Sequence, residues 1–134
     1  MYDFTSRDGR VRYHNDVTND PLPLVHRQLL ADFWLGDPQP LRFLEPLWSV
    51  LRAAVVGSGA HLLAERVHQF QPDGFTGVIL LAQSHVSVHT WVEQHLLLLD
   101  VQSCGDMQPE HIVERLRAYL RPERVALRSL ERGV

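Results

Sequence analysis

The sequence predicts an α/β protein of the α+β type: a two-layer sandwich, with a mostly antiparallel sheet and two helices packed on one face. Three observations predict it. Six runs read as strands, most of them apolar or alternating and bounded by turn residues. Two segments carry apolar residues at helical spacing. In chain order these give β-α-β-β-β-β-α-β, with four strands in direct succession.

Residues 1–24 lack clear periodicity and end in Asn19-Asp20-Pro21-Leu22-Pro23. They are expected to form an N-terminal extension, at best partly ordered, ahead of a main domain over 25–134. Val25 to Trp34 is the first expected strand, closed by Leu35-Gly36-Asp37-Pro38. Leu41 to Val56 places Leu44, Leu47, Trp48, Leu51, Ala54 and Val55 at helical spacing and stops at Gly57-Ser58-Gly59. Pro46 fits only in the first turn of that helix, or the helix begins later than Leu41. From Ala60 the period becomes two: Leu62, Ala64, Arg66, His68 and Phe70 share one side of a strand that ends at Gln71-Pro72-Asp73-Gly74. Phe75 to Ala82, Val86 to Trp91 and His95 to Gln102 follow as strands. Gly105-Asp106 breaks the pattern, and Pro109 to Leu120 is an amphipathic helix with Ile112, Val113, Leu116 and Leu120 inward. Arg124 to Glu131 is the last strand.

A chain of 134 residues can bury a sizeable core as one domain. Its 45% apolar and 22% charged residues match an ordinary globular protein. A net charge of −3 provides no basic field for nucleic acid. All 13 basic residues are Arg; without Lys, a lysine Schiff base is excluded, and with it the usual anchor for pyridoxal phosphate. The lone Cys104 cannot form an internal disulfide, which points to a reduced, cytoplasmic setting. The first twenty residues contain no apolar run to serve as a signal peptide, and no segment reaches the roughly 20 apolar residues of a membrane span. Neither secretion nor membrane insertion is expected.

The chemistry-bearing residues cluster after the most apolar strand. Within six residues the chain sets a hydroxyl and two imidazoles: Ser84, His85 and His89. Glu93 and Cys104 follow. Several readings fit the residue types alone. Ser84 suits a turn, where its hydroxyl bonds the local backbone. His85 and His89 point to the same side of a strand, but no neighbouring Cys or carboxylate completes a closed zinc site, and no metal is expected. A Ser-His-acid hydrolase lacks its usual elbow, since the local string is Ala82-Gln83-Ser84-His85-Val86. Cys104 suits a small buried hydrophobe as well as a catalyst.

The string Gln83-Ser84-His85-Val86-Ser87-Val88-His89-Thr90-Trp91-Val92-Glu93, followed by Asp100 and Cys104-Gly105-Asp106, resembles the core of the prokaryotic S-adenosylmethionine decarboxylases. Phe70 and the stretch Asp73 to His85 also look like that family's strand leading into its cleavage point. The likeness covers approximately residues 25 to 131. It implies a proenzyme that cuts itself between Gln83 and Ser84, leaving the serine as a pyruvoyl group that forms a Schiff base with an amine substrate. That carbonyl would serve as the electron sink during decarboxylation, which fits a chain without lysine. By the same resemblance His89 and Thr76 assist processing, Thr76 standing where serine is commoner. Cys104 reprotonates the product carbanion, a role that suits a thiol with an ordinary pKa of ~8.5. Phe70, Trp91 and Glu93 contact the substrate, with Phe70 and His89 holding the adenine ring. S-adenosylmethionine is the leading substrate, feeding spermidine synthesis, and a homodimer is implied.

The chain departs from the family pattern at Gln83 (usually Glu), Val92 (usually Pro) and Gln94-His95-Leu96-Leu97, which replaces a Tyr-Gly-Tyr-like segment. Two alternatives therefore stand beside the first: a pyruvoyl-dependent decarboxylase of ornithine or arginine, with Asp32 and Glu93 pairing the distal cation, and an uncleaved regulatory subunit.

Overall fold

The computed structural model describes residues 25–133 together with the short antiparallel segments Tyr2–Asp3 and Arg12–Tyr13. The expectation for the rest of 1–24 lies outside the described residues. Six strands form one sheet: β1 His26–Trp34, β2 Leu62–Gln69, β3 Phe75–Leu81, β4 His85–Trp91, β5 Leu96–Cys104 and β6 Arg124–Arg132. Their order is β2-β3-β4-β5-β1-β6, and every neighbouring pair is antiparallel. The first strand of the sequence thus sits between the last two.

Two helices, α1 Leu47–Gly57 and α2 Pro109–Leu120, pack beside each other on one face. Helix α1 begins later than Leu41: residues Gln39–Leu41 form a separate 3-10 turn, and Pro46 occupies the N-cap, where its missing N–H costs no helical bond. The core lies between the layers, with Trp48, Leu51 and Val55 of α1 and Ile112, Val113 and Leu116 of α2 set against Phe33, Ile79, Val88, Leu97, Leu99 and Val101. In β5 the run Leu96-Leu97-Leu98-Leu99 obeys the two-residue period: Leu97 and Leu99 are buried under the helices, while Leu96 and Leu98 lie half-buried on the other face.

Among the described residues no layer lies over that second face of the sheet. Val78, Leu80 and Leu130 are exposed there at 41%, 50% and 53%, an apolar load unusual for solvated sheet. Edge strand β2 departs from the expected one-sided alternation, because most of it is exposed on both faces. It lies at the margin of the apolar layer, with Leu62 still packed against the core, and meets α1 through a paired Arg52–Glu65 contact, with N···O distances of 2.6 and 2.9 Å.

Candidate active site

The turn between β3 and β4 holds Ser84. Two backbone bonds pin it: Leu81 N–H donates to Ser84 O, and Ala82 N–H donates to His61 O, each at 2.9 Å. Gln83 is exposed and Ser84 half-buried. Ser84 Oγ lies 3.9 Å from Met107 Sδ, a weak acceptor. The register places Cys104 at this same end of the sheet: His85 pairs with Gln102, and Cys104, two residues further along β5, pairs with His26. By strand alternation the Cys104 side chain shares the open face with His85 and Gln102.

The opposite end of the same strands carries a second group. Thr76 on β3 and His89 on β4 are direct register partners, and their side chains are hydrogen-bonded through Thr76 Oγ1 and His89 Nδ1. Thr76 Oγ1 also donates to Val88 O at 3.3 Å. Which of Thr76 Oγ1 and His89 Nδ1 donates to the other is set by the imidazole tautomer. Trp91 sits 5.9 Å from the His89 ring at a 47° tilt. Phe70 stands edge-on to His68 at 4.7 Å. Phe70, Asp73, Thr76, His89, Trp91 and Glu93 line a groove of about 490 Å³. Its aromatic walls are accessible, with Phe70 46% and Trp91 36% exposed. Such a groove suits a flat heterocycle carrying a positive charge, because the aromatic rings stack and the carboxylates attract.

The structure brings Thr76, His89, Phe70, Trp91 and Glu93 together in one groove, and places Ser84 and Cys104 at the other end of the same strands. It does not bring the two groups together within one chain. Ser84 and His89 are five residues apart on extended backbone, about 16 Å. The same arithmetic separates His85 from His89, four strand residues apart, by about 13 Å. Among the described residues no group of three or more His, Cys, Asp or Glu is gathered closely enough to hold an ion. Asp32 lies outside the aromatic groove. It lines a second hollow of about 370 Å³ on the open face with His89, Leu98, Asp100 and Arg128. Asp73 was legible only as a turn residue, yet it enters the groove wall, fixed by Arg42 Nε at 3.0 Å.

A model of the S-adenosylmethionine decarboxylase family matches residues 27–133. The chain belongs to that family. Relatives named S-adenosylmethionine decarboxylase proenzyme include one from Methanococcus vannielii, 34% identical over 109 residues, covering 81% of this chain and 89% of that protein. One from Parasynechococcus marenigrum is 39% identical over 110 residues, covering 81% and 86%. The crystal structure of the adenosylmethionine decarboxylase from Aquifex aeolicus superposes with a TM-score of 0.74 at 32% identity, over 84% of this chain and 94% of that one. The two-layer sheet and helices are thus the frame of this decarboxylase family.

Proposed function

We propose that this chain is made as a proenzyme, cuts itself at Gln83–Ser84, and decarboxylates S-adenosylmethionine to supply the aminopropyl donor for spermidine synthesis. The observation that supports the reading is the hydrogen-bonded turn: it leaves Gln83 exposed next to a half-buried Ser84, at the same end of the sheet as Cys104. These residues fit a pyruvoyl group at position 84, in a chain that has no lysine to do the same work. Such a group supplies an electrophilic carbonyl for the substrate amine and a sink for the electrons released as CO2 departs.

The protein's own groups have defined tasks. Ser84 Oγ attacks the Gln83 carbonyl carbon, and the peptide nitrogen leaves as an ester forms. Loss of the Ser84 Cα proton then expels the Gln83 carboxylate, and water later releases the nitrogen as ammonia. A Thr76 hydroxyl stabilises the oxyanion of the first step, and the His89 imidazole receives a proton. Cys104 returns a proton to the substrate carbon after CO2 is lost. Phe70 and Trp91 hold the adenine, while Glu93 meets the ribose or the sulfonium.

Because Ser84 and His89 of one chain stand about 16 Å apart, a second copy completes the site. Two chains stacked open face to open face, about a twofold axis crossing the strands, set Ser84 and Cys104 of one over Thr76 and His89 of the other. Val78, Leu80 and Leu130 provide the apolar surface for that association. No helix among the described residues is long and apolar enough to cross a membrane, and we assign the reaction to the reduced cytoplasm.

Intact mass spectrometry of freshly purified protein, paired with CO2 release from carboxyl-labelled S-adenosylmethionine, ornithine and arginine, tests the reading. Two fragments, 1–83 and a pyruvoyl-capped 84–134, and CO2 from the sulfonium alone are expected. A single unmodified chain would mean a non-catalytic subunit; CO2 from an amino acid alone would move the substrate to ornithine or arginine.

A further inference from the structure

The wall of the aromatic groove is a five-residue turn, Phe70 to Gly74, that contributes Phe70, Asp73 and Gly74 to the lining. A turn of that length at an exposed sheet edge is ordinarily mobile, yet a stacking surface works only if it is held. Besides the Arg42–Asp73 pair, one side chain on the residue just before the turn gathers it. The two hydrogens of Gln69 Nε2 are shared among three backbone carbonyls: Arg42 O at 2.9 Å, Gly74 O at 2.9 Å and, more distantly, Phe70 O at 3.2 Å. Its Oε1 accepts from Leu44 N–H at 2.8 Å. Backbone bonds complete the clamp, with Phe70 N–H donating to Gly74 O at 2.8 Å and Gly74 N–H to Arg42 O at 2.7 Å. The carboxamide therefore ties both ends of the turn to the segment ahead of α1.

We infer that Gln69 is a positioning residue for substrate recognition: it fixes Phe70 and the groove wall without touching the substrate. The inference rests on the groove being the adenosyl site. Two near-isosteric substitutions test it. Gln69→Met removes every polar bond, and Gln69→Glu keeps an acceptor for Leu44 but turns an oxygen toward three carbonyls. Both are expected to raise KM for S-adenosylmethionine about tenfold, the scale of a lost hydrogen-bond set at one wall. Self-cleavage remains complete and kcat stays within about twofold, because the bonds of Gln69 go to the backbone of the turn and of the segment ahead of α1 rather than to the reacting groups.

Amide hydrogen exchange of residues 70–75 is read alongside on the cleaved protein without substrate, and faster exchange in both variants is expected. KM unchanged in both variants, or exchange unchanged, overturns the inference. If Gln69→Glu is uncleaved, Gln69→Met decides; if neither is cleaved, Gln69 is part of the folding core and the inference fails. Should the parent protein not turn over S-adenosylmethionine, the groove's assignment falls, and faster exchange still separates the clamp from that failure.

Discussion

Thr76 and His89 stand opposite each other on neighbouring antiparallel strands, and the threonine hydroxyl is hydrogen-bonded to the imidazole Nδ1. The pair is built by register alone, so any residue that keeps a hydroxyl at 76 preserves it. Thr76→Ser is expected to cleave at the parent rate and Thr76→Val about a hundredfold more slowly, the usual penalty for a lost oxyanion donor. His89→Ala is expected to stall as the full-length chain. The time course of fragment appearance on a denaturing gel measures all three.

The separation of Ser84 from His89 makes a stronger demand. If the site is shared between two chains, the His89→Ala chain co-expressed with a differently tagged Ser84→Ala chain pairs its own serine with the partner's intact histidine. The His89→Ala chain is then cut in the mixture although neither variant is cut alone. Absence of any cut product in mixed dimers would place the whole reaction within one protomer.

Cys104 lies at the serine end and, on the proposed mechanism, acts only after CO2 has left. Cys104→Ala is expected to process fully and to release CO2 about a hundredfold more slowly, in line with loss of a general acid. Fragment masses and steady-state rates are read on the same sample, so a processing defect is visible at once.

Gly77 has no room for a side chain. A Cβ there would stand about 2.5 Å from Trp48 Cη2 and 3.1 Å from Val67 Cγ1, and Trp48 is 2% exposed with nowhere to retreat. Gly77→Ala should lower stability by about 1–3 kcal/mol, the range for overpacking a tight core, as measured by denaturant unfolding.

The Arg52–Glu65 pair joins α1 to the edge strand. Hydrogen bonding from Arg52 holds the Glu65 carboxyl below its ordinary value of 4.5. A depressed carboxyl stabilises the fold above its unfolded pKa, and that contribution disappears as pH falls through the folded value. Glu65→Gln should cost about 0.5 kcal/mol near neutrality, as expected for a partly exposed pair. The two proteins should converge as the pH is lowered from about 5 to about 2, which thermal melts across that range will show.

Much of this architecture is written in local pattern. The alternation through Leu96 to Leu99 gives β5 its two faces, and the helical spacing of Leu47, Trp48, Leu51, Ala54 and Val55 gives α1 its buried stripe. Pro46 carries the correct start of α1. Edge position is different: β2 alternates like an interior strand, and only the limited reach of the helices explains its exposure on both sides. The motif residues were legible as chemical types. Their division into two groups is implicit too, because five strand residues span about 16 Å. The part played by Asp73 and Gln69 was not legible. Each depends on segments 25 to 31 residues distant meeting in space.

The order of strands has a consequence for the mature molecule. On the proposed cut, residues up to Gln83 contribute β1, α1, β2 and β3, and residues from Ser84 contribute β4, β5, α2 and β6. Since β1 is wedged between β5 and β6, the two polypeptides are woven through each other along three hydrogen-bonded seams. The nick is silent while the weave holds. Once unravelled, the mature protein must find its other half by collision, so renaturation becomes second order where the uncut precursor refolds alone. Maturation on this plan runs one way: folding comes first, while the backbone is whole, and the reactive end is made afterwards.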